Sequence, residues 1–112
     1  MNNEPYIKLD KAGVVNYYTN KLKKYGISHQ TVGWGSQESQ QLRFEVLLRN
    51  LRLENKTILD LGCGLGDLAA FIKKRNINNF RYIGIELVPD FIKISQERFN
   101  GSDNIRFIQY DM

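Results

Sequence analysis

Residues 57–67 read Thr57-Ile58-Leu59-Asp60-Leu61-Gly62-Cys63-Gly64-Leu65-Gly66-Asp67, and this stretch decides the fold. Its first five residues are apolar apart from Asp60 and β-branched at the start, the pattern of a strand buried in a sheet. Three glycines at alternate positions then make a tight loop. Asp67 opens a helix whose apolar face is Leu68, Phe71 and Ile72. Lys73, Lys74 and Arg75 close that helix, where cations suit the helix dipole. Glycine lets the chain turn sharply and lets a ligand approach the backbone with no Cβ in the way. A strand, a glycine loop and a helix in that order put the loop at the carboxyl end of the strand, where open α/β sheets bind their ligands.

Reading outward toward the C-terminus, Arg81-Tyr-Ile-Gly-Ile-Glu86 is a second strand. Pro89 sits where a first-turn proline is tolerated. The helix it opens turns Phe91, Ile92, Ser95 and Phe99 inward and ends at Asn100-Gly101. Residues 104–110 alternate as a third strand. The order is β-α-β-α-β, and right-handed crossovers make it a Rossmann-like parallel half-sheet of spatial order 3-2-1. Toward the N-terminus, residues 1–56 read as a helical lead-in region, which divides the chain into 1–56 and 57–112. Val14, Tyr18, Leu22 and Tyr25 fall at helical spacing, and Gly26 follows as a stop. The polar segment SHQTVGWGS, residues 28–36, links to a second helix that Ser36 can cap. The expected apolar stripe of that helix is Phe44, Leu47, Leu48 and Leu51.

The acidic residues around the loop carry the chemistry. Glu86 ends the second strand 20 residues after Gly66, a placement that suits a carboxylate accepting hydrogen bonds from both ribose hydroxyls. A nucleoside cofactor follows, either NAD or S-adenosylmethionine. Asp60 favours the second. A dinucleotide lays its pyrophosphate over this loop, and at about 4 Å and an effective dielectric near 20 a carboxylate would oppose it by ~4 kcal/mol. S-adenosylmethionine has no phosphate, and its sulfonium and α-ammonium are cationic. A dinucleotide fingerprint starting at Gly62 also wants a glycine where Asp67 stands.

With those residues in place, ILDLGCGLGDLAAFI (58–72) resembles the glycine-rich first motif of class I S-adenosylmethionine-dependent methyltransferases. YIGIELVPDFIKISQERF (82–99) is similar to the second motif and its helix, and NIRFIQYDM (104–112) to the third. GWGSQESQQLRFEVL (33–47) resembles a lead-in segment of some bacterial members. The resemblance implies that Gly62, Cys63, Gly64 and Gly66 form the loop around the methionine portion, with Gly62 and Gly64 lining it through their backbone. It further implies Asp60 near the α-amino end, Glu86 on the ribose hydroxyls, Leu87 on the adenine, and Asp111 accepting from the adenine amino group with the Met112 amide beside the ring. Arg43 is expected to reach the cofactor carboxylate. In the family the fourth motif and later strands supply most of the substrate pocket. The expectation is therefore a truncated methyltransferase domain, inactive by itself, whose bare first-strand edge could pair with another copy. The competing functional readings are a non-catalytic S-adenosylmethionine-binding module and, less favoured, an NAD-dependent oxidoreductase.

Composition bounds the remainder. The 112 residues suffice for one domain, with 42% hydrophobic and 25% charged residues. No stretch approaches the ~20 apolar residues of a membrane span, and MNNEPYIKLD lacks a signal pattern. Cys63 is the single cysteine, so no internal disulfide forms and a cytoplasmic setting is expected. It reads as a small filler beside the loop, with no basic neighbour in sequence to activate it as a nucleophile. His29, the one histidine, lies in the polar linker, so no metal site is expected. Tyr17, Tyr18, Tyr25 and Trp34 are read as core more than as a substrate entrance. The net charge of +4 lies entirely in residues 1–56, where 9 Lys/Arg face 5 Asp/Glu, and residues 57–112 balance at 7 each. That excess is too small to argue for nucleic acid as the partner, and a small-molecule or protein acceptor is expected.

Overall fold

The computed structural model describes residues 11–110; Asp111 and Met112 therefore lie outside the described residues. The elements are α1 (Lys11–Tyr25), α2 (Gln37–Leu48), β1 (Thr57–Leu61), α3 (Asp67–Lys73), β2 (Arg81–Glu86), α4 (Pro89–Arg98) and β3 (Ile105–Gln109). All strand pairs are parallel and β2 is central, giving the order β1-β2-β3. This is the α/β Rossmann-like half-sheet that the strand–helix alternation predicts.

Strand alternation gives the sheet two unlike faces. Tyr82, Gly84 and Glu86 of β2 are buried on the same face as Ile105 and Phe107 of β3. That face packs with Ala69 and Ile72 of α3, Ile92 of α4 and Phe99 just beyond it, and Leu48 and Leu53 from upstream join the same cluster. The other face carries Leu59, Leu61 and Ile108, which are 58%, 73% and 52% exposed. β1 is an edge strand in the described sheet, so one side of its backbone has no ladder partner among the described residues.

Gly84 shows how tightly the covered face is built. A Cβ there would stand 2.8 Å from both Cys63 Sγ and Phe107 Cδ1. Only a hydrogen at that position lets the glycine loop fold down onto β2. Cys63 is thus the filler beside the loop, its sulfur occupying the space that Gly84 leaves open.

The helical lead-in packs differently from the expectation in two places. In α2, Ser36 caps as expected, its hydroxyl accepting from Ser39 N at 3.0 Å. The buried line, however, is Gln40, Phe44 and Leu48, spaced by four, and not the broader predicted stripe. Leu47 and Leu51 are each 55% exposed. Leu47 is turned toward the cavity above the glycine loop, and Leu51 lies beyond the end of the helix. The seam is narrow because α2 meets one short partner, α3, with the Phe44 and Phe71 rings 5.5 Å apart. In α1 no residue is buried. Gly26 stops the helix as expected, in the left-handed region with φ +66°. Tyr18 and Leu22 are half-buried against Leu65, Val88 and Phe91, whereas Tyr25 and Tyr17 are exposed and are not core. Tyr18 meets Phe91 edge-on at 5.8 Å.

Gly84→Ala is expected to destabilise the chain by about 1–3 kcal/mol, the usual cost of overpacking a filled core. Urea unfolding checks this, and an unchanged midpoint would contradict the contact described.

Candidate ligand site above the glycine loop

The loop after β1 is held from below by hydrogen bonds that the glycines make available. Gly62 N and Cys63 N both donate to Ile85 O, at 2.7 and 3.1 Å, fastening the loop to the end of β2. Gly62, Gly64 and Gly66 all have positive φ, the region where a side chain is strained. Two of them also lack room for one. A Cβ on Gly64 would lie 2.9 Å from Val32 Cγ1, and one on Gly66 would lie 3.1 Å from Phe99 Cε2 and 3.2 Å from Phe107 Cζ. Gly64 therefore lets the 28–36 linker close over the loop, and Gly66 lets the loop settle on the core.

Glu86 completes the fastening. Its Oε1 accepts from Gly64 N at 2.8 Å, and its Oε2 accepts from Leu87 N at 2.8 Å and Val88 N at 3.1 Å. The side chain is buried under the loop. Of roughly four acceptor positions on a carboxylate, three are taken by backbone, and the one left is on Oε1.

Asp60 points from β1 onto the covered face, where the Tyr82 hydroxyl donates to its Oδ2. Burial pushes the Asp60 carboxyl above the ordinary 3.8; the Tyr82 hydrogen bond works against that shift, and the Glu86 charge adds to it. Burial likewise pushes the Cys63 thiol up to about 12, with the Glu86 and Asp60 charges acting in the same direction. Asp67 is fully engaged: its Oδ1 pairs with Arg98 Nη1 at 2.9 Å and its Oδ2 accepts from Gln40 Nε2 at 3.0 Å. Arg98 also donates to Leu65 O. This clamp joins α2, α3 and α4 around the loop.

Above the loop lies a cavity of about 260 Å³ walled by Val32, Trp34, Arg43, Leu47, Asp60 and the backbone of Gly62 to Leu65. Arg43 stands over the Trp34 ring, 5.9 Å from its centroid, and makes no ion pair with the described residues. Among the expected site residues, Arg43, Asp60, Gly62, Cys63 and Gly64 come together around this cavity. Gly66, Glu86 and Leu87 do not line it: Gly66 faces the core, Glu86 is folded beneath the loop, and the half-buried Leu87 gives its N–H to Glu86. Cys63 turns its sulfur to Gly84, so only its backbone serves the cavity. Asp111 and Met112 fall outside the described residues. Trp34, read from the sequence as core, stands half-buried on the cavity wall. Sequence reasoning missed Tyr82 as the partner of Asp60 and the Gln40–Asp67–Arg98 clamp. Larger depressions occur as well: one of 460 Å³ along α2 near Gln41 and Leu42 lies away from the loop, and one of 280 Å³ lies beside Gln40, Asp67 and Arg98. Among the described residues no cluster of His, Cys, Asp and Glu could hold a metal, and no helix is long and apolar enough to cross a membrane.

Comparison with known proteins agrees with this architecture. Residues 58–112 match the methyltransferase domain family. A search of curated proteins returned no match. Among solved structures, the [4+2]-cyclase SpnF superposes with a TM-score of 0.68 at 17% identity, covering 96% of this chain and 45% of that one. The phosphoethanolamine N-methyltransferase 1 of Haemonchus contortus, solved with phosphoethanolamine and S-adenosylhomocysteine, gives 0.63 at 18% identity, over 92% of this chain and 22% of that one. A putative sarcosine dimethylglycine methyltransferase from Galdieria sulphuraria gives 0.62 at 17% identity, over 86% and 42%. At such identities the likeness is one of fold, and the chain spans less than half the length of each of these proteins. The sheet that the matched residues build is the Rossmann-like one.

Two outcomes follow from the charges. Cys63 is expected to resist alkylation by iodoacetamide at pH 8 in the folded chain and to react at the rate of a free thiol in urea; rapid labelling of the folded form would contradict its burial. Asp60→Asn is expected to raise the thermal midpoint by a few degrees at neutral pH, because it removes a carboxylate that folding desolvates. The sign follows from linkage. Between the ordinary 3.8 and its raised folded value, Asp60 holds a proton that the unfolded chain has released, so its contribution to stability falls as pH rises through that window. The gain from Asp60→Asn should accordingly vanish below about pH 3.8; a gain that persists there would rule out this origin.

Proposed function

We propose that the cavity above the glycine loop receives the amino-acid end of S-adenosylmethionine, and that the chain forms the cofactor-holding part of a methyltransferase. The observation that supports this most is the pairing of opposite charges across one small cavity. Asp60 offers an anion from β1 and Arg43 offers a cation from α2. An α-amino acid is a zwitterion, and this pair matches its ammonium and carboxylate. The cavity volume of about 260 Å³ falls just below the ~300–1,000 Å³ of whole-ligand pockets, which suits one end of the cofactor. The ribose and adenine would then extend past Gly62 and Gly64 toward the ends of β2 and β3. There the remaining acceptor position of Glu86 would take a ribose hydroxyl, Leu87 would give the adenine an apolar contact, and Asp111 and Met112 are assigned to the adenine edge.

Bound S-adenosylmethionine supplies a methyl group already activated by a sulfonium. The chain's own contribution is positioning. Arg43 and Asp60 fix both ends of the amino acid, and the glycine backbone admits the thioether chain without a Cβ in the way. Val32 and Trp34 share the cavity wall with Arg43 and Asp60, and the Trp34 ring supports the Arg43 guanidinium. A small molecule or a protein is the proposed acceptor, and the cytoplasm the proposed setting. The same loop disfavours a dinucleotide, because Asp60 stands where a pyrophosphate would lie. A second reading, a module that holds the cofactor without transferring methyl, is favoured by one fact: a structure of this fold, SpnF, is described as a cyclase.

In calorimetric titrations, S-adenosylhomocysteine is expected to bind and NAD to give no heat. Arg43→Ala should weaken the first roughly tenfold or more, the worth of a charge-assisted contact. Selective NAD binding, or heat from neither ligand, would reject the proposal.

A further inference from the structure

Tyr82 is wholly buried on the central strand, in the middle of the covered face, with its ring packed 5.7 Å from that of Phe107. Packing alone would be served as well by phenylalanine. A buried phenol needs a partner for its hydroxyl, and here the partner is Asp60 on the neighbouring strand. The register explains the reach: Tyr82 lies level with Ile58, and Asp60 is two residues further along on the same face, a diagonal that a tyrosine spans. The bond engages Oδ2, and Oδ1 carries no hydrogen bond to the described residues. Asp60 is itself part of the cavity wall. One oxygen is therefore anchored while the carboxylate it belongs to faces the ligand space.

We infer that Tyr82 is a positioning residue of the ligand site, its hydroxyl holding Asp60 as an oriented anion toward the ligand's α-ammonium group. This rests on the cofactor reading above. The surroundings of Asp60 give the hydroxyl its importance. Glu86 from β2 and Asp67 from α3 are acidic, Cys63 beside it is a neutral thiol, and Arg43 from α2 is the one cation on the cavity wall among the described residues. Burial and the Glu86 charge both favour the protonated form of Asp60, and the Tyr82 hydroxyl opposes them. Without it, the carboxyl would titrate higher and would be free to rotate away from the cavity.

Tyr82→Phe keeps the ring and removes one oxygen, and two ligands separate a positioning role from a packing role. S-adenosylhomocysteine has the α-ammonium, whereas 5′-methylthioadenosine lacks the whole amino-acid end. Calorimetry on the 112-residue chain is expected to show S-adenosylhomocysteine weakened about tenfold near pH 7, the effect of losing a hydrogen bond to a charged group. Methylthioadenosine binding should stay unchanged. S-adenosylhomocysteine affinity should also fall off on acidification at a higher pH in the variant than in the unsubstituted chain. In an Asp60→Asn background, Tyr82→Phe should cost nothing further. Equal losses for both ligands, no loss for either, or a further loss in the Asp60→Asn background would overturn the role of Tyr82 and leave the cofactor site standing. Absence of S-adenosylhomocysteine binding by the unsubstituted chain would overturn the cofactor reading and this inference with it.

Discussion

The rest of the structure depends on a single carboxylate accepting three backbone N–H groups. Glu86 closes β2, and by taking the amides of Gly64, Leu87 and Val88 it fixes both the glycine loop and the start of α4. Without it, Gly64 N and Val88 N would be unpaired donors in a buried place and Leu87 N in a half-buried one. The bonds are charge-assisted and therefore among the stronger kind. With them in place the loop curls with its glycines in the left-handed region and Cys63 packed down onto Gly84. The cavity above is the space left between that curled loop and the linker that Val32 brings across it.

The site balances cost against use. Two carboxylates, Asp60 and Glu86, stand close enough for the Glu86 charge to act on Asp60, and both are substantially withdrawn from water. Asp67 adds a third, offset by Arg98 and Gln40. Sheet interiors rarely carry so much negative charge unless a cation is to be met there, and burying it costs stability that apolar residues would have supplied. Arg43, resting on Trp34 and without an ion partner among the described residues, is the counterpart on the far wall.

How much of this could be read from the sequence divides along physical lines. The sheet was legible because strand and helix periods alternate cleanly and because glycine, proline and charged termini mark each boundary. Strand order followed from chirality alone. The loop was legible for a related reason: glycines between a strand and a helix have few other uses. The lead-in region was less so. Its helices are amphipathic only weakly, and which of Leu47, Leu48 and Leu51 turns inward depends on where α3 lies, which no local pattern encodes. The Tyr82–Asp60 bond was hidden for the same reason. Tyr82 reads as an ordinary β-former, and its partner, 22 positions earlier in the sequence, is set by the register between two strands. Glu86 was singled out from its place at the end of the second strand, but its hydrogen bonds to the backbone of its own loop could not be foreseen from spacing.

β1 carries Asp60 and is also an edge strand, with no ladder partner on one side among the described residues, and its outward residues Leu59 and Leu61 lie open. In the proposed site, the strand that would present Asp60 to the ligand is thus an edge of the described sheet. Any surface that packs on Leu59 and Leu61 would narrow the motion of β1 and so reduce the entropy that ligand binding must remove. Thermodynamic reciprocity then requires the converse, that a ligand held at Asp60 tighten whatever covers that face. Assembly at the outer face and occupancy of the inner one are, in this arrangement, two readings of the same free energy.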